Sequence, residues 1–436
     1  MKNNILILIA FLIGFTSILN AQEIMPISKA AVLDKVNQDN TSLKISEQEF
    51  IEARADYRQT HATFLPNITA SHIGMATTNP LMAFGSKLNQ AILTATDFDP
   101  AGLNHPSQVQ SFATIFEIQQ PIINMDGMYQ RKAAKSKMDA LALKAIRHHD
   151  HLVFEVEKAY MQLQLAYIGV DVLENALLAA NDNKKLADHR FKQGYLQRAD
   201  VLNVEVRVTE VQNQLQIAKS NILNASNYLS FLMNDENDVI YTPTDALAIS
   251  KIAHKEENIS ENRSDIKAMQ LGTIAFEAMN KADKMTFLPR LNAFGRYELY
   301  DNKLFQGDAS GYLVGAQLSW DLFQGYKRLG KVQKSKAEFE KSTLEYHQYL
   351  SQSHLEFNRA KRTLTDAENK LKLTAQALEQ SKESLRIRTD RFKEGLEKTS
   401  DVLMAETQYA QKEMEYYLTI FEYNQALSYL QFLTKQ

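Results

Sequence analysis

Apolar residues recur in alternating steps of four and three along two stretches, residues 141–180 and 204–232. His148 is the only polar residue at the repeating positions of the first stretch. Such a heptad seam is typical of coiled-coil helices, so we expect helices over residues 128–190 and 198–233. At ~1.5 Å per residue the first would be roughly 90 Å long. The second half repeats the pattern more loosely. Buried helices of a globular bundle are the alternative, and the unbroken length disfavours them.

Four segments alternate with a period of two instead. They are "NITASHIGMATT", "FATIFEIQQP", "LNAFGRYELY" and "YLVGAQLSWDLF", the first being the weakest. About ten residues suffice for a tilted strand to cross a bilayer. The segments predict one β-hairpin in each half of the chain, over residues 66–122 and 289–323.

Four strands cannot close a barrel, and an open sheet edge is not tolerated in hydrocarbon. If these strands span a membrane, several chains must share one barrel, and three chains would supply twelve strands. The predicted fold is therefore mainly α-helical, with long coiled-coil helices and four membrane strands per chain. A small soluble sheet that caps a coiled coil is the alternative.

The two halves are copies of one another. "RFKQGYLQRADVLNVE" from Arg190 returns as "RFKEGLEKTSDVLMAE" from Arg391, with eight of sixteen positions identical. "FLPN" from Phe64 returns as "FLPR" from Phe287, at a spacing of 223 instead of 201. Pro66 to Pro121 spans 55 residues and Pro289 to Asp321 spans 32, which places about 23 extra residues in the first copy, within residues 79–110. We expect a first repeat over residues 22–233, a linker over 234–262 and a second repeat over 263–436.

The N-terminal residues and the composition limit the class of protein and the kinds of site that the chain can carry. Lys2, an apolar run over residues 5–19 and Ala21 predict a secretory signal peptide over residues 1–21. A true membrane helix is the alternative, although the run is shorter than the ~20 residues that spanning requires. The chain has no cysteine, which excludes disulfides and thiolate chemistry. Its net charge of −3 gives no electrostatic case for binding nucleic acid.

Motifs for catalysis are missing. The sequence has no P-loop, GxSxG or HExxH motif, so we predict no enzyme, no catalytic residue and no cofactor. The "HHDH" tract places His148 and His151 one helical turn apart, yet nothing nearby supplies a third ligand. We expect no metal site there, but a solvated or tunnel-facing patch.

The signal peptide, the duplication, the strand hairpins, the long helices and the doubled RFxxG…DVL motif together resemble the TolC family of outer-membrane efflux and secretion channels. The resemblance covers essentially all of the mature chain. It implies a homotrimer with a twelve-stranded barrel in outer-membrane lipid and a helical tunnel across the periplasm. It also implies a passive conduit of a tripartite efflux or type I secretion system, opened at its periplasmic tip by an adaptor and an inner-membrane pump.

The resemblance assigns the doubled motif, residues 190–203 and 391–404, to the periplasmic tip. The implied turn and adaptor-contact residues are Arg190, Phe191, Gly194, Arg391, Phe392 and Gly395. The implied pore-constriction residues are Asp401, Met404, Asp200 and Asn203. Met404 stands where some family members have a second aspartate, and Glu397 stands where some have a basic gate residue. Neither a double aspartate ring nor a salt bridge from a basic residue at 397 is therefore expected.

The sequence leaves alternatives open for the role of the two aspartates and for the function of the chain. Asp200 and Asp401 lie near the start of the returning helices, where an acid is favoured by the helix dipole, so structural capping alone would explain them. A periplasmic coiled-coil adaptor protein is the alternative function, which the duplicated long helices and the ten-residue strands disfavour. The helix content argues against a plain diffusion porin. The sequence does not identify the transported substrate or the class of pump.

Overall fold

The computed structural model describes residues 23–236, 239–251 and 258–435. The predicted signal peptide, residues 1–21, lies outside the described residues. The first half begins with strand β1 (Glu23–Ile27) and helices α1 (Lys29–Asp39) and α2 (Thr41–Gln59). Strands β2 (Asn67–Thr77) and β3 (Val109–Ile123) follow, with helices α3 (Pro80–Asn89) and α4 (Pro100–Asn104) between them.

Four long helices dominate the chain. They are α5 (Met125–Lys192), α6 (Arg198–Met233), α8 (Lys327–Lys393) and α9 (Thr399–Thr434). Strand β4 (Val239–Pro243), helix α7 (Ser264–Met285) and strands β5 (Arg290–Asp301) and β6 (Ala309–Ser319) lie between α6 and α8. The predicted fold of long helices with a few strands is confirmed. By length and composition alone, one window of α5 is apolar enough to cross a membrane.

The chain divides into two compact units, and each contains segments of both repeats. One unit, called the helical unit here, comprises the residues up to Glu47, Ala145–Ser264 and Leu350 onward. The other, called the strand unit, comprises Gln48–Lys144 and Asp265–Tyr349. The sequence repeats are therefore not the units in which the chain packs.

The core of the helical unit follows the predicted seams. Val156 and Leu163 of α5 pack with Leu229 of α6 and with Val32 and Val36 of α1, all almost fully buried. The 4–3 spacing places these residues on one face of each helix, which explains why the seam predicts the core.

A short parallel sheet, not predicted from the sequence, completes this core. Strand β4 lies within the predicted linker 234–262 and pairs with β1, Ile27 opposite Pro243. Tyr160 of α5 donates its hydroxyl proton to this region, where the carbonyl of Ile27 lies at 3.0 Å and Asp245 Oδ2 at 2.9 Å. Five-residue strands that pair across more than 200 positions leave little local signal in a sequence.

The strand unit contains a four-stranded antiparallel sheet in the order β2-β3-β5-β6. Its register aligns Phe116, Tyr297 and Tyr312 across three strands. On the opposite face Arg296 Nη2 lies 3.0 Å from Glu117 Oε2, and Arg296 Nη1 lies 3.5 Å from Glu298 Oε1. Aromatic side chains thus lie on one face of the sheet and the charged cluster on the other, because successive side chains of a strand alternate between its two faces.

The insertion in the first copy, predicted at residues 79–110, carries the helices α3 and α4. Asn79 caps α3 by accepting the backbone N–H of Met82 at 3.2 Å, and Pro80 occupies the first turn. Lys87 then pairs with Asp97 at 2.6 Å, which ties α3 to the following turn. The insertion is an ordered, helix-containing connection between β2 and β3.

Candidate functional site at the paired helical turns

The doubled motif forms two turns with the same backbone, both within the helical unit. In the first turn, Tyr195 N–H donates to the carbonyl of Arg190 at 2.9 Å, and Gly194 N–H donates to that of Phe191 at 2.9 Å. In the second turn, Leu396 and Gly395 repeat both bonds, at 2.9 and 3.0 Å. This pair of bonds is the Schellman motif, which satisfies the last carbonyls of a helix.

Glycine is required in each turn by the backbone alone. Gly194 has φ +81° and Gly395 has φ +77°, both in the left-handed region. A Cβ atom built at either position would meet no heavy atom within 4 Å. The repeated glycine therefore supplies conformational freedom and not space.

The phenylalanines of the two turns have opposite environments. Phe191 is 40% exposed, whereas Phe392 is 2% exposed. The residues just after the glycines, Tyr195 and Leu396, are both exposed. Each turn thus presents one large apolar side chain at its apex, but only the second turn is closed over a buried ring.

Arg190 joins the first turn to the second. Its guanidinium carbon lies 4.3 Å from the centre of the Phe392 ring. Its Nη2 donates to the carbonyl of Phe392 at 2.6 Å and to that of Lys393 at 3.2 Å. These carbonyls belong to the last turn of α8, where a cation is favoured by the helix dipole. Arg190 is thus a brace between the two copies of the motif.

Arg391, the equivalent of Arg190, makes a local contact instead. Its Nε donates to Glu397 Oε2 at 2.9 Å, and Arg388 Nη1 donates to Glu397 Oε1 at 2.9 Å. The Glu397 side chain is largely buried by these two arginines. The first copy has Leu196 at this position, so the clamp exists only in the second turn.

The two aspartates also differ. Asp200 Oδ2 accepts the backbone N–H of Gln197 at 3.1 Å and completes a capping box at the start of α6. The N-cap of α9, Lys398, has no such side-chain bond, and Asp401 contacts Ser400 Oγ at 3.4 Å. A side-chain cap therefore accounts for Asp200, whereas Asp401 has only the favourable helix dipole of the first turn of α9.

The remaining predicted constriction residues lie one turn further along the returning helices. Met404 is 62% exposed and Asn203 is exposed, whereas Val201 and Val402 are buried in the seams. Within the described chain, no hydrogen bond or ion pair joins Asp200 or Asn203 to Asp401 or Met404. The structure brings Arg190 and Phe392 together, and it does not by itself assemble the four predicted constriction residues into one site.

The family of the chain is settled by its match to known proteins. The outer membrane efflux protein family matches residues 32–235 and 257–434, which include both turns and all four long helices. The chain belongs to the outer membrane efflux protein family. Its location is the outer membrane. No curated protein sequence matches it significantly.

Solved structures share the fold of this efflux protein at low sequence identity. The outer-membrane channel OprN is 16% identical with a TM-score of 0.81, covering 93% of this chain and 89% of that chain. CmeC of Campylobacter jejuni is 17% identical with a TM-score of 0.79, covering 93% and 85%. VceC of Vibrio cholerae is 17% identical with a TM-score of 0.78, covering 92% and 95%.

The HHDH tract of this efflux protein makes local contacts, while the side chains of His149 and His151 stay about half exposed. His148 Nε2 lies 3.1 Å from Ser42 Oγ, and His149 Nε2 lies 3.0 Å from Asn37 Oδ1. His151 contacts the Phe432 ring edge-on, with centroids 5.6 Å apart. Among the described residues, no group of three potential ligands could hold a metal ion.

A buried carboxyl near the second turn was not predicted from the sequence. Glu406 of α9 accepts a hydrogen bond from Asn183 Nδ2 of α5, and its Oε2 is buried without a partner. Burial raises the pKa of Glu406 to about 7, although Arg207 of α6 and Asn183 oppose the rise. The sequence signal is that Glu205 and Glu406 are identical last residues of the two motif copies, but the repeat does not indicate that Glu406 is the buried one.

Proposed function

We propose that this chain is the outer-membrane channel of a tripartite efflux or type I secretion system. It works as a passive homotrimeric conduit that a periplasmic adaptor and an inner-membrane pump open at its tip. The observation that carries the proposal is the four-stranded sheet, which has one apolar face, one charged face and two free edges.

The sheet supports a shared barrel in the following way. Within the described chain, β2 and β6 each pair with a single strand, so each leaves one edge of backbone groups unpaired. Such an edge is very costly in lipid, and closure with neighbouring chains removes it. Three copies give twelve strands, an even number within the range of outer-membrane barrels. The Phe116–Tyr297–Tyr312 row then faces outer-membrane lipid, and Arg296 with Glu117 faces the lumen.

The paired turns support the tip assignment. Three copies would place six turns around one opening, with Arg190, Phe191, Gly194, Arg391 and Gly395 at the surface that an adaptor contacts. Phe392, predicted as a contact residue, is only 2% exposed and lies beneath that surface, where it supports Arg190. The exposed apex residues Tyr195 and Leu396 offer apolar anchors there. Three-fold symmetry converts each exposed residue of a turn into a ring.

The constriction is assigned to Asp401 and Met404, with Asp200 and Asn203 as their first-copy equivalents. Because Asp401 has no capping bond, its carboxylate is available to a passing cation. Asp200 is held by its own backbone and contributes less. We infer no catalysis by this chain, so the energy for transport comes from the pump. The transported substrate and the class of pump are not assigned.

The first experiment separates the channel from the alternative of a periplasmic adaptor. Outer-membrane fractionation followed by gel electrophoresis with and without heating should give a heat-sensitive trimer. A soluble monomer in the periplasm would contradict the channel and favour the adaptor.

The second experiment tests the constriction. In planar bilayers, Asp401→Ala should reduce cation selectivity and change single-channel conductance, because a ring of three charges is removed. Glu394→Gln, an exposed acid on the second turn, is the matched control for loss of charge at the tip. Unchanged conductance and selectivity in Asp401→Ala would remove Asp401 from the constriction.

A further inference from the structure

Three helices of the helical unit meet at a small polar cluster close to the second turn. Glu406 lies on α9, Asn183 on α5 and Arg207 on α6. Glu406 follows Asp401 by five residues, which is ~7.5 Å along the helix axis. The cluster therefore lies about one and a half turns from the residue to which the constriction is assigned.

Two oppositely charged groups in this cluster are incompletely satisfied. Glu406 Oε1 accepts from Asn183, but Glu406 Oε2 is buried without a hydrogen-bond partner. Arg207 Nε is likewise buried without one, while its Nη1 lies 3.6 Å from Glu210. A buried unpartnered oxygen is tolerated far better on a neutral carboxyl than on a carboxylate. The packed arrangement of the three helices thus suits the protonated form of Glu406.

The ionisable groups on the neighbouring turns of these helices are as follows. Lys184 of α5 lies 3.8 Å from Glu205 of α6, which also lies 3.8 Å from Arg198. Burial raises the pKa of Tyr409 of α9, and Glu413 of α9 and Glu379 of α8 add to the rise. Arg207 is the charged group that acts on Glu406, and it does not offset the effect of burial.

Space for water lies beside the cluster. A cavity of about 730 Å³ between α5, α6 and α9 is lined by Arg207, Thr407 and Gln411 among mostly apolar residues. An ionised Glu406 would gain hydration by moving toward this space, which requires α9 to shift against α5 or α6.

We propose that Glu406 is a pH-sensitive pin: its protonated side chain holds α9 against α5 and α6, and its ionisation favours a looser arrangement with the carboxylate in water. This inference rests on the proposed function, because it assigns a regulator to the same gate. Alkaline conditions then loosen the tip, and acidic conditions tighten it.

The direction follows from proton linkage. The packed form holds the proton with a pKa of about 7, against 4.5 for a hydrated glutamate. Protons therefore bind the packed form more tightly, and its advantage is complete below pH 4.5 and lost as the pH rises to about 7. The same two values limit the shift in the packed-to-loose equilibrium to about 300-fold.

The test compares the wild-type channel with Glu406→Gln and with the control Glu394→Gln in planar bilayers between about pH 4 and about pH 8. Wild type and Glu394→Gln should become more conductive with a midpoint between pH 4.5 and about 7, the two pKa values of Glu406. Glu406→Gln should remain in the low-pH state throughout. An unaltered midpoint in Glu406→Gln, or no transition in the wild type, would overturn the pin.

A second measurement does not depend on channel activity. The chain has no cysteine, so Thr209→Cys on α6 and Gln408→Cys on α9, both exposed, can carry spin labels in the full-length protein. The inter-label distance should change across the same pH range, and Glu406→Gln should abolish the change. A distance that does not respond to pH would reject the pin. Absence of any channel, with a distance that does respond, would reject the proposed function alone.

Discussion

The turn between α5 and α6 and the turn between α8 and α9 have the same Schellman bonds and the same left-handed glycine. Their side chains nevertheless make different contacts. Arg190 reaches the neighbouring turn, whereas Arg391 is held by Glu397 on its own turn. The two copies have thus kept the residues that fix the backbone of the turn. Other equivalent residues make different contacts, and Arg190 links one turn to the other. Paired substitutions at equivalent positions test this difference.

The largest difference in lost stability is expected between alanine variants of the two phenylalanines. Phe392→Ala should lower the free energy of unfolding by about 3–4 kcal/mol, because it leaves a cavity under the second turn and removes the surface on which Arg190 stacks. Phe191→Ala should cost less than about 1 kcal/mol, because this ring is partly exposed. Thermal unfolding of the purified protein in detergent measures both. Equal losses would show that the two turns are energetically equivalent.

The loss of stability should differ less between the two arginine variants than between the two phenylalanine variants. Arg190→Ala removes two hydrogen bonds to carbonyls and a cation–π contact, for an expected loss of about 2 kcal/mol. Arg391→Ala breaks a partly exposed ion pair and should cost less than about 1 kcal/mol. Arg190→Lys is the control for charge, since it keeps the cation without the planar stack. If it restored full stability, charge alone would explain the brace.

The glycines should behave alike, because the backbone is what the copies share. Gly194→Ala and Gly395→Ala should each cost about 1–2 kcal/mol through the strain of a positive φ. Gly272→Ala in α7, where a Cβ also meets nothing within 4 Å, should instead stabilise the protein by about 0.5–1 kcal/mol. A destabilising Gly272→Ala would indicate that the losses at the turns do not come from φ.

The smallest losses of stability are expected at the aspartates. Asp200→Ala should cost about 1 kcal/mol by removing the cap of α6, and Asp200→Asn should recover most of it by keeping an acceptor oxygen. Asp401→Ala should cost only about 0.3 kcal/mol through the helix dipole. A large loss of stability in Asp401→Ala would mean that its main role is structural.

Much of the fold could be predicted because long elements leave repeated signals. The seam of α6 predicts residues 198–233, and the helix spans Arg198–Met233. The sheet strands could be predicted from their alternation and length. Strand β4 could not, because its five residues are specified by their partner β1 and not by a local pattern.

The site could be predicted only in part. The glycines of the turns are predictable from sequence, since a doubled glycine between two helices implies a left-handed residue. The brace from Arg190 to Phe392 is not, because the two arginines occupy equivalent positions and only the packing of one copy on the other distinguishes them. Glu406 was missed for a similar reason, since its burial depends on Asn183 and Arg207 from two other helices.

The pairing of β1 with β4 has a consequence for the order of folding. Ile27 accepts the backbone N–H of Thr244 at 3.0 Å, and Val32 and Val36 pack on α5 and α6. The pairing of Ile27 with Thr244 spans 217 positions and the packing on α5 and α6 spans more than 100, so the entropy of closing a long loop opposes these contacts. Strand β1 and helix α1 therefore cannot complete their contacts until α5, α6 and β4 are all present. We expect the N-terminal segment to be among the last parts of the helical unit to gain protection from hydrogen exchange during refolding.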